Sequence, residues 1–149
     1  QTQKIMTTGI LKYRLVELKY PINDPETPET RWYARAVQDR TIDFEDFVTH
    51  MSEHNSPYSR GVIHGVLIDM LSCLQELVLD GKSVRLGDLG LFSLGISGEG
   101  APTRDVYNPT NYVKDVHLNV RNTKTWSNAE LRKRCRLQEL TEYSTGKTE

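Results

Sequence analysis

The residues with chemical potential in this chain are few and scattered. His50 and His54 lie four apart with Glu53 between them, but the carboxylate is at the wrong offset for a His-Glu-x-x-His zinc motif. A solvated helix face accounts for them. His64 and His117 have no Cys or His neighbour at ligand spacing. Cys73 and Cys135 form no CxxC pair, and Cys73 falls in an apolar helical pattern, which suits free thiols in a reducing compartment. No Ser-His-Asp or Cys-His grouping has a supporting motif. Gly95, Gly98 and Gly100 are spaced loosely like a phosphate loop, but nothing signals a helix after them. The sequence predicts no catalytic residue, no metal site and no cofactor. One cluster remains: Arg121, Lys124, Arg132, Lys133, Arg134 and Arg136 face a single acid, Glu130. It serves either as an anion-binding surface or as a solvated helix face.

Composition sets the bounds. The 149 residues suffice for one ordinary domain, or for a small core with an extension. Apolar residues make up 37% and charged residues 26%, so the chain is short of core-forming material. The formal net charge is −1, whereas nucleic-acid binders usually carry a basic excess. What decides binding is the local field on one face, not the total. The N-terminus lacks the apolar stretch and small-residue cleavage site of a signal peptide, and residues 1–9 read as a leader. The most apolar run, Val62 to Leu79, is interrupted by His64, Asp69, Gln75 and Glu76, and reads as a core helix rather than a membrane span.

The elements follow from periodicity. Leu11 to Leu18 alternates apolar and charged residues, and Arg31 to Val37 reads as a second strand across the proline-rich loop Pro21 to Thr30. Residues 10–40 are therefore an N-terminal β-hairpin. Thr41 or Asp43 can cap a helix whose face is Phe44, Phe47, Val48 and Met51. Ser56 and Pro57 suit the cap and first position of a second helix running to about Asp80. Its stripe includes Val62, Val66, Leu67, Met70, Leu71 and Leu74, and Ile68, Cys73 and Leu79 widen it. A helix apolar over most of its circumference must be covered on several sides, so a second copy of the chain is expected against it. Gly81 marks the stop, Val84 to Leu86 a short strand, and Gly87 and Gly90 a bend into a strand from Leu91 to Ile96. A polar segment containing Asn108-Pro109 precedes a strand from Val113 to Val120. A last helix is expected from Asn128 to about Tyr143, capped by Ser127, and then a disordered tail over residues 144–149.

This order resembles the HU/integration host factor family of bacterial histone-like proteins. The resemblance runs from Thr41 to Arg136 and rests on Gly81, Val84-x-Leu86, Gly90-Leu91-Phe92 and the downstream Asn108-Pro109. It implies an α+β fold: an intertwined homodimer with a helical body, a three-stranded sheet and an extended β-arm, over residues 41–143. The N-terminal hairpin resembles that of longer HU-like proteins. The function implied is non-enzymatic binding and bending of double-stranded DNA, with little sequence specificity, in the cytoplasm at the bacterial nucleoid. Such a protein needs no membrane and no small-molecule substrate. In this family an arm-tip proline wedges between base pairs in the minor groove, and unstacking is offset by the wrapped surface.

Carried over by position, Pro109 is the wedge and Asn108 its groove-edge companion. Arg104 and Lys114 are the arm's phosphate contacts, and Arg121 and Lys124 lie on the saddle beneath the duplex. Arg132, Lys133, Arg134 and Arg136 extend that zone along the last helix. Val66, Leu67, Met70, Leu71, Leu74 and Phe92 fall at the dimer interface. The arm, about residues 95–119, departs from the family: it sets only Arg104 and Lys114 against Glu99, Asp105 and Asp115. Phosphate neutralisation supplies nearly all non-specific affinity, so an acidic-leaning arm contributes little of it. The alternative is an HU-like dimer serving as a protein-interaction or structural module.

Overall fold

The computed structural model describes residues 9–20 and 29–140. The leader residues 1–8, most of the loop at 21–28 and the tail at 144–149 lie outside the described residues. The chain divides into two units, Ile42–Glu130 and the pair of segments Gln1–Thr41 with Leu131–Glu149.

In the unit Ile42–Glu130, helix α1 (Phe44–Glu53) is capped by Asp43, whose carboxylate accepts from the Asp46 amide at 2.8 Å. Glu45 and Asp46 in its first turn complement the helix dipole. Helix α2 (Arg60–Leu79) begins at a cap on Ser59, three residues after the expected start. Ser56 instead accepts from the Tyr58 amide at 3.2 Å, and this local turn uses up Pro57 before the helix begins. The helix stops as expected. Gly81 takes φ +80°, its amide donates to Val78, and the Lys82 amide donates to Leu77. This double bond around a left-handed residue satisfies the last carbonyls, and only glycine adopts it without a Cβ penalty.

Helices α1 and α2 are clasped by polar contacts. Arg60 donates to Glu45 at 2.5 Å and to the Thr49 hydroxyl at 3.0 Å, and His64 Nε2 lies 2.9 Å from the other Glu45 oxygen. The Phe44 ring packs edge-on to His64, with centroids 5.5 Å apart. Beneath the clasp the core is thin. Among the described residues the buried apolar side chains are Val48, Ile63 and Val78, and of these Val48 alone is fully buried. Most of the α2 stripe faces outward: Val66 is 62% exposed and Leu71 46%. By length and composition this helix also passes as a membrane span, though Asp69 and Glu76 interrupt it.

Strands β3 (Val84–Leu86), β4 (Gly90–Gly98) and β5 (Val113–Asn122) form an antiparallel sheet in that order. β3 pairs only with the first three residues of β4. From Ser93↔Asn119 to Gly98↔Val113, β4 and β5 continue as a two-stranded ribbon, about 17–20 Å long at ~3.4 Å per residue. A one-turn helix α3 (Pro109–Tyr112) lies at its far end.

The other unit is built on a three-stranded sheet of order β2-β1-β6. β1 (Gly9–Tyr20) pairs antiparallel with β2 (Glu29–Ala36), so the hairpin forms. The last helix does not run to Tyr143. Helix α4 (Asn128–Arg134) is followed by strand β6 (Cys135–Glu139), parallel to β1 from Gly9↔Cys135 to Tyr13↔Glu139. Cys135-x-Leu137 has the period of a strand as well as a place in a helical stripe, and the edge of β1 decides between them. The segment after Glu130 therefore groups with the hairpin, not with the domain expected over residues 41–143.

Candidate nucleic-acid interface

The ribbon has two chemically distinct faces. Paired residues share a face, so Phe92 with Val120, Leu94 with Leu118 and Ile96 with Val116 make an apolar side. Ile96 is 70% exposed there. The opposite side carries Leu91 with Arg121, Ser93 with Asn119, Gly95 with His117 and Ser97 with Asp115. His117 Nδ1 lies 3.0 Å from Asp115 Oδ2, and the Ser97 hydroxyl donates to the same oxygen at 3.3 Å. Gly95 permits this packing, since a Cβ there would sit 2.6 Å from both His117 Nε2 and Asn119 Nδ2.

At the ribbon's base the register adds a cation that the sequence reading missed. Arg85 pairs with Leu91, which pairs with Arg121, so the two guanidinium side chains flank Leu91 on one face. Both arginines are exposed. The signal was present in Val84-Arg85-Leu86: two inward apolar residues oblige the middle one to point to the other side.

The structure distributes the other expected contact residues unevenly. Lys124 sits in a 3₁₀ turn at φ +47° and pairs with Asp88 at 3.3 Å, so its charge is already opposed. Thr123 fixes that turn by donating its hydroxyl to the Asp88 carbonyl at 3.1 Å. Asn122 donates to the Trp126 carbonyl and to Asn128 Oδ1 at 2.8 Å, tying β5 to the start of α4.

At the far end, Asn108 caps α3 by accepting from the Asn111 amide at 2.9 Å, and Pro109 occupies its first turn. Pro109 is exposed, beside the stacked rings of Tyr107 and Tyr112, 5.3 Å apart. Arg104 and Lys114 are exposed near the same end. Arg132, Lys133 and Arg134 fill the last turn of α4, where cations suit the helix dipole. Arg134 is half-buried, with its Nε out of water and without a hydrogen-bond partner. Arg136 belongs to β6 and not to the helix, so the expected basic zone is not one helical face.

The expected interface residues lie on α2 and β4. Val66, Met70 and Leu71 are exposed, and Leu67, Leu74 and Phe92 are half-buried. Among the described residues no three His, Cys, Asp or Glu side chains gather as a metal site. Glu45 shows a perturbed acidity: the Arg60 hydrogen bond first, then that from His64, holds its carboxyl below the usual carboxylate range. Both contacts join helix to helix, which is a structural role.

No curated protein matches the chain. A crystal structure from Bacteroides vulgatus, described as a candidate bacterial DNA-binding protein, shares the fold with a TM-score of 0.64 at 17% identity. The alignment covers 89% of this chain and 48% of that one, so this chain spans about half of its length. A family model described as an HU domain fused to wHTH, Ig, or Glycine-rich motif matches residues 10–138. With that match across hairpin, helices, ribbon and β6, the chain belongs to the HU-HIG family, an HU-like group set apart by its fused motifs rather than the short HU/integration host factor form.

Proposed function

We propose that this chain binds double-stranded DNA as a homodimer, without enzymatic chemistry, and bends it with little sequence specificity. The observation that carries the reading is the β4–β5 ribbon running on past the end of β3. In an HU-like chain, two such ribbons projecting from one body straddle a duplex along the minor groove. The second copy is argued from α2: with Val62, Val66 and Leu79 each more than half exposed, a lone chain leaves the apolar stripe open. A partner's α2 covers it. The apolar ribbon face then rests on the partner or in the groove, and Arg85 and Arg121 meet phosphates at the base. Pro109, exposed at the far end, is the wedge, with Val106 and Tyr107 beside it. Such a protein acts in the bacterial cytoplasm, at the nucleoid.

The test is titration of a generic duplex at 50 and 200 mM salt. Binding that weakens with added salt and tolerates sequence changes supports the reading, and absence of binding at low salt refutes it. One observation favours a second reading, a protein-interaction dimer. The unit Ile42–Glu130 holds twelve Asp and Glu against seven Lys and Arg. A dimer of the expected mass that ignores duplex at low salt would be that module.

A further inference from the structure

The positive charge of this chain lies where an HU-like body does not need it. The unit made of Gln1–Thr41 and Leu131–Glu149 holds twelve Lys and Arg against eight Asp and Glu, the reverse of the body's balance. Sheet register sorts these charges. Arg14 pairs with Arg35 and Leu18 with Arg31 across β1 and β2, while Ile10 pairs with Arg136 across β1 and β6. Lys12 lies between Ile10 and Arg14 on β1. All five cations share one face of the sheet, since paired residues and alternate residues point to one side. Glu29 is the one carboxylate that the described strands place there, and it is taken by Arg31 at 3.0 Å. Lys12, Arg14, Arg35 and Arg136 have no ion-pair partner among the described residues. The other face is mainly apolar, with Leu11, Leu15, Trp32 and Leu137.

Arg14 directly opposite Arg35 is an unfavourable cross-strand pair unless an anion lies over it. We propose that this face of the β2-β1-β6 sheet is a second contact surface for the phosphate backbone of the duplex, and that it adds counterion release to the little that Arg85 and Arg121 supply from the acidic body. The inference rests on the DNA-binding reading above. Its occupant is chosen by charge: four exposed, unopposed cations in a two-dimensional array match a polyanion with closely spaced charges.

The experiment uses the full chain and fluorescence anisotropy with a labelled generic duplex of about 30 bp, between 50 and 200 mM salt. The variants are Arg14→Gln/Arg35→Gln and Lys12→Gln/Arg136→Gln, so that a folding defect in one leaves the other to decide. Each lost phosphate contact removes about 0.9 from the slope of log K against log salt. Either double variant removes two cations from each chain and four from the dimer, and should therefore flatten the slope by roughly 3.6 and shrink the fourfold-salt affinity ratio by about 150-fold. Arg14→Gln/Arg35→Gln should also keep or raise the melting temperature, because it removes a repulsion. Wild-type slopes in both folded variants would overturn the proposal and leave DNA binding standing. Wild-type protein that binds no duplex would overturn both. Unchanged slopes with an altered molar mass would assign the face to the acidic unit of another copy, and would likewise overturn it.

Discussion

Val66→Asp separates a lone chain from a dimer. Val66 is 62% exposed in the single chain. If the chain works alone, a carboxylate there stays in water, and the cost is a helix-propensity difference of at most about 0.7 kcal/mol. If α2 packs against its partner, each copy buries an unopposed charge. An uncompensated buried charge costs about 3–5 kcal/mol, and a two-fold interface repeats it. The dimer should then lose roughly 6–10 kcal/mol, or about four to seven powers of ten in its association constant. The assay is light scattering over a concentration series, with thermal melts at each point. The wild type should show twice the 17.1 kDa chain mass and a melting temperature that rises with concentration. The variant should show one chain mass, or lose its fold. A variant with unchanged mass and melting temperature would refute the reasoning, because the position would then be solvated in the assembled state.

Other consequences are cheaper to check. Gly81→Ala places a Cβ at φ +80° and should cost about 1–2 kcal/mol, read as a fall of several degrees in melting temperature. The Glu45 clasp carries a pH signature. Its carboxyl titrates lower folded than unfolded, so its contribution is present above the ordinary carboxylate range and is lost as pH falls through the folded value. Glu45→Gln should therefore be less stable than wild type at neutral pH, with the two melting curves converging in acid. Pro109→Ala removes no backbone hydrogen bond, because a first-turn proline has none to lose. End-to-end energy transfer on a bound duplex should report a smaller bend, while affinity changes little. An equal bend would leave Pro109 as a helix-start residue alone.

What could be read from the chain was local, and what could not was decided at long range. Gly81 was legible because a helix stop of this kind requires positive φ, and Val84-Arg85-Leu86 because alternation has a single structural meaning. The start of α2 was misplaced because Ser56 and Ser59 both qualify as caps, and only the turn taken up by Ser56 and Tyr58 selects the second. The end of the chain was misread for a deeper reason. Residues 135–139 fit a helix by local pattern, and become a strand because β1, more than a hundred residues earlier, offers them an edge. The same pairing sets Arg136 opposite Ile10, on the sheet face that carries Lys12 and Arg14. A basic sheet face assembled from both ends of the chain leaves no trace in any single window of sequence. A count of lysines and arginines along the ribbon therefore leaves out the cations that this pairing gathers on one face.

The most direct measurement is the molar mass of the chain mixed with a short duplex of about 30 bp at low salt, by light scattering on a sizing column. The account predicts one complex containing two chains on one duplex, which comes apart as salt is raised. Duplex eluting at its own mass, beside protein with no nucleic acid on it, would contradict it.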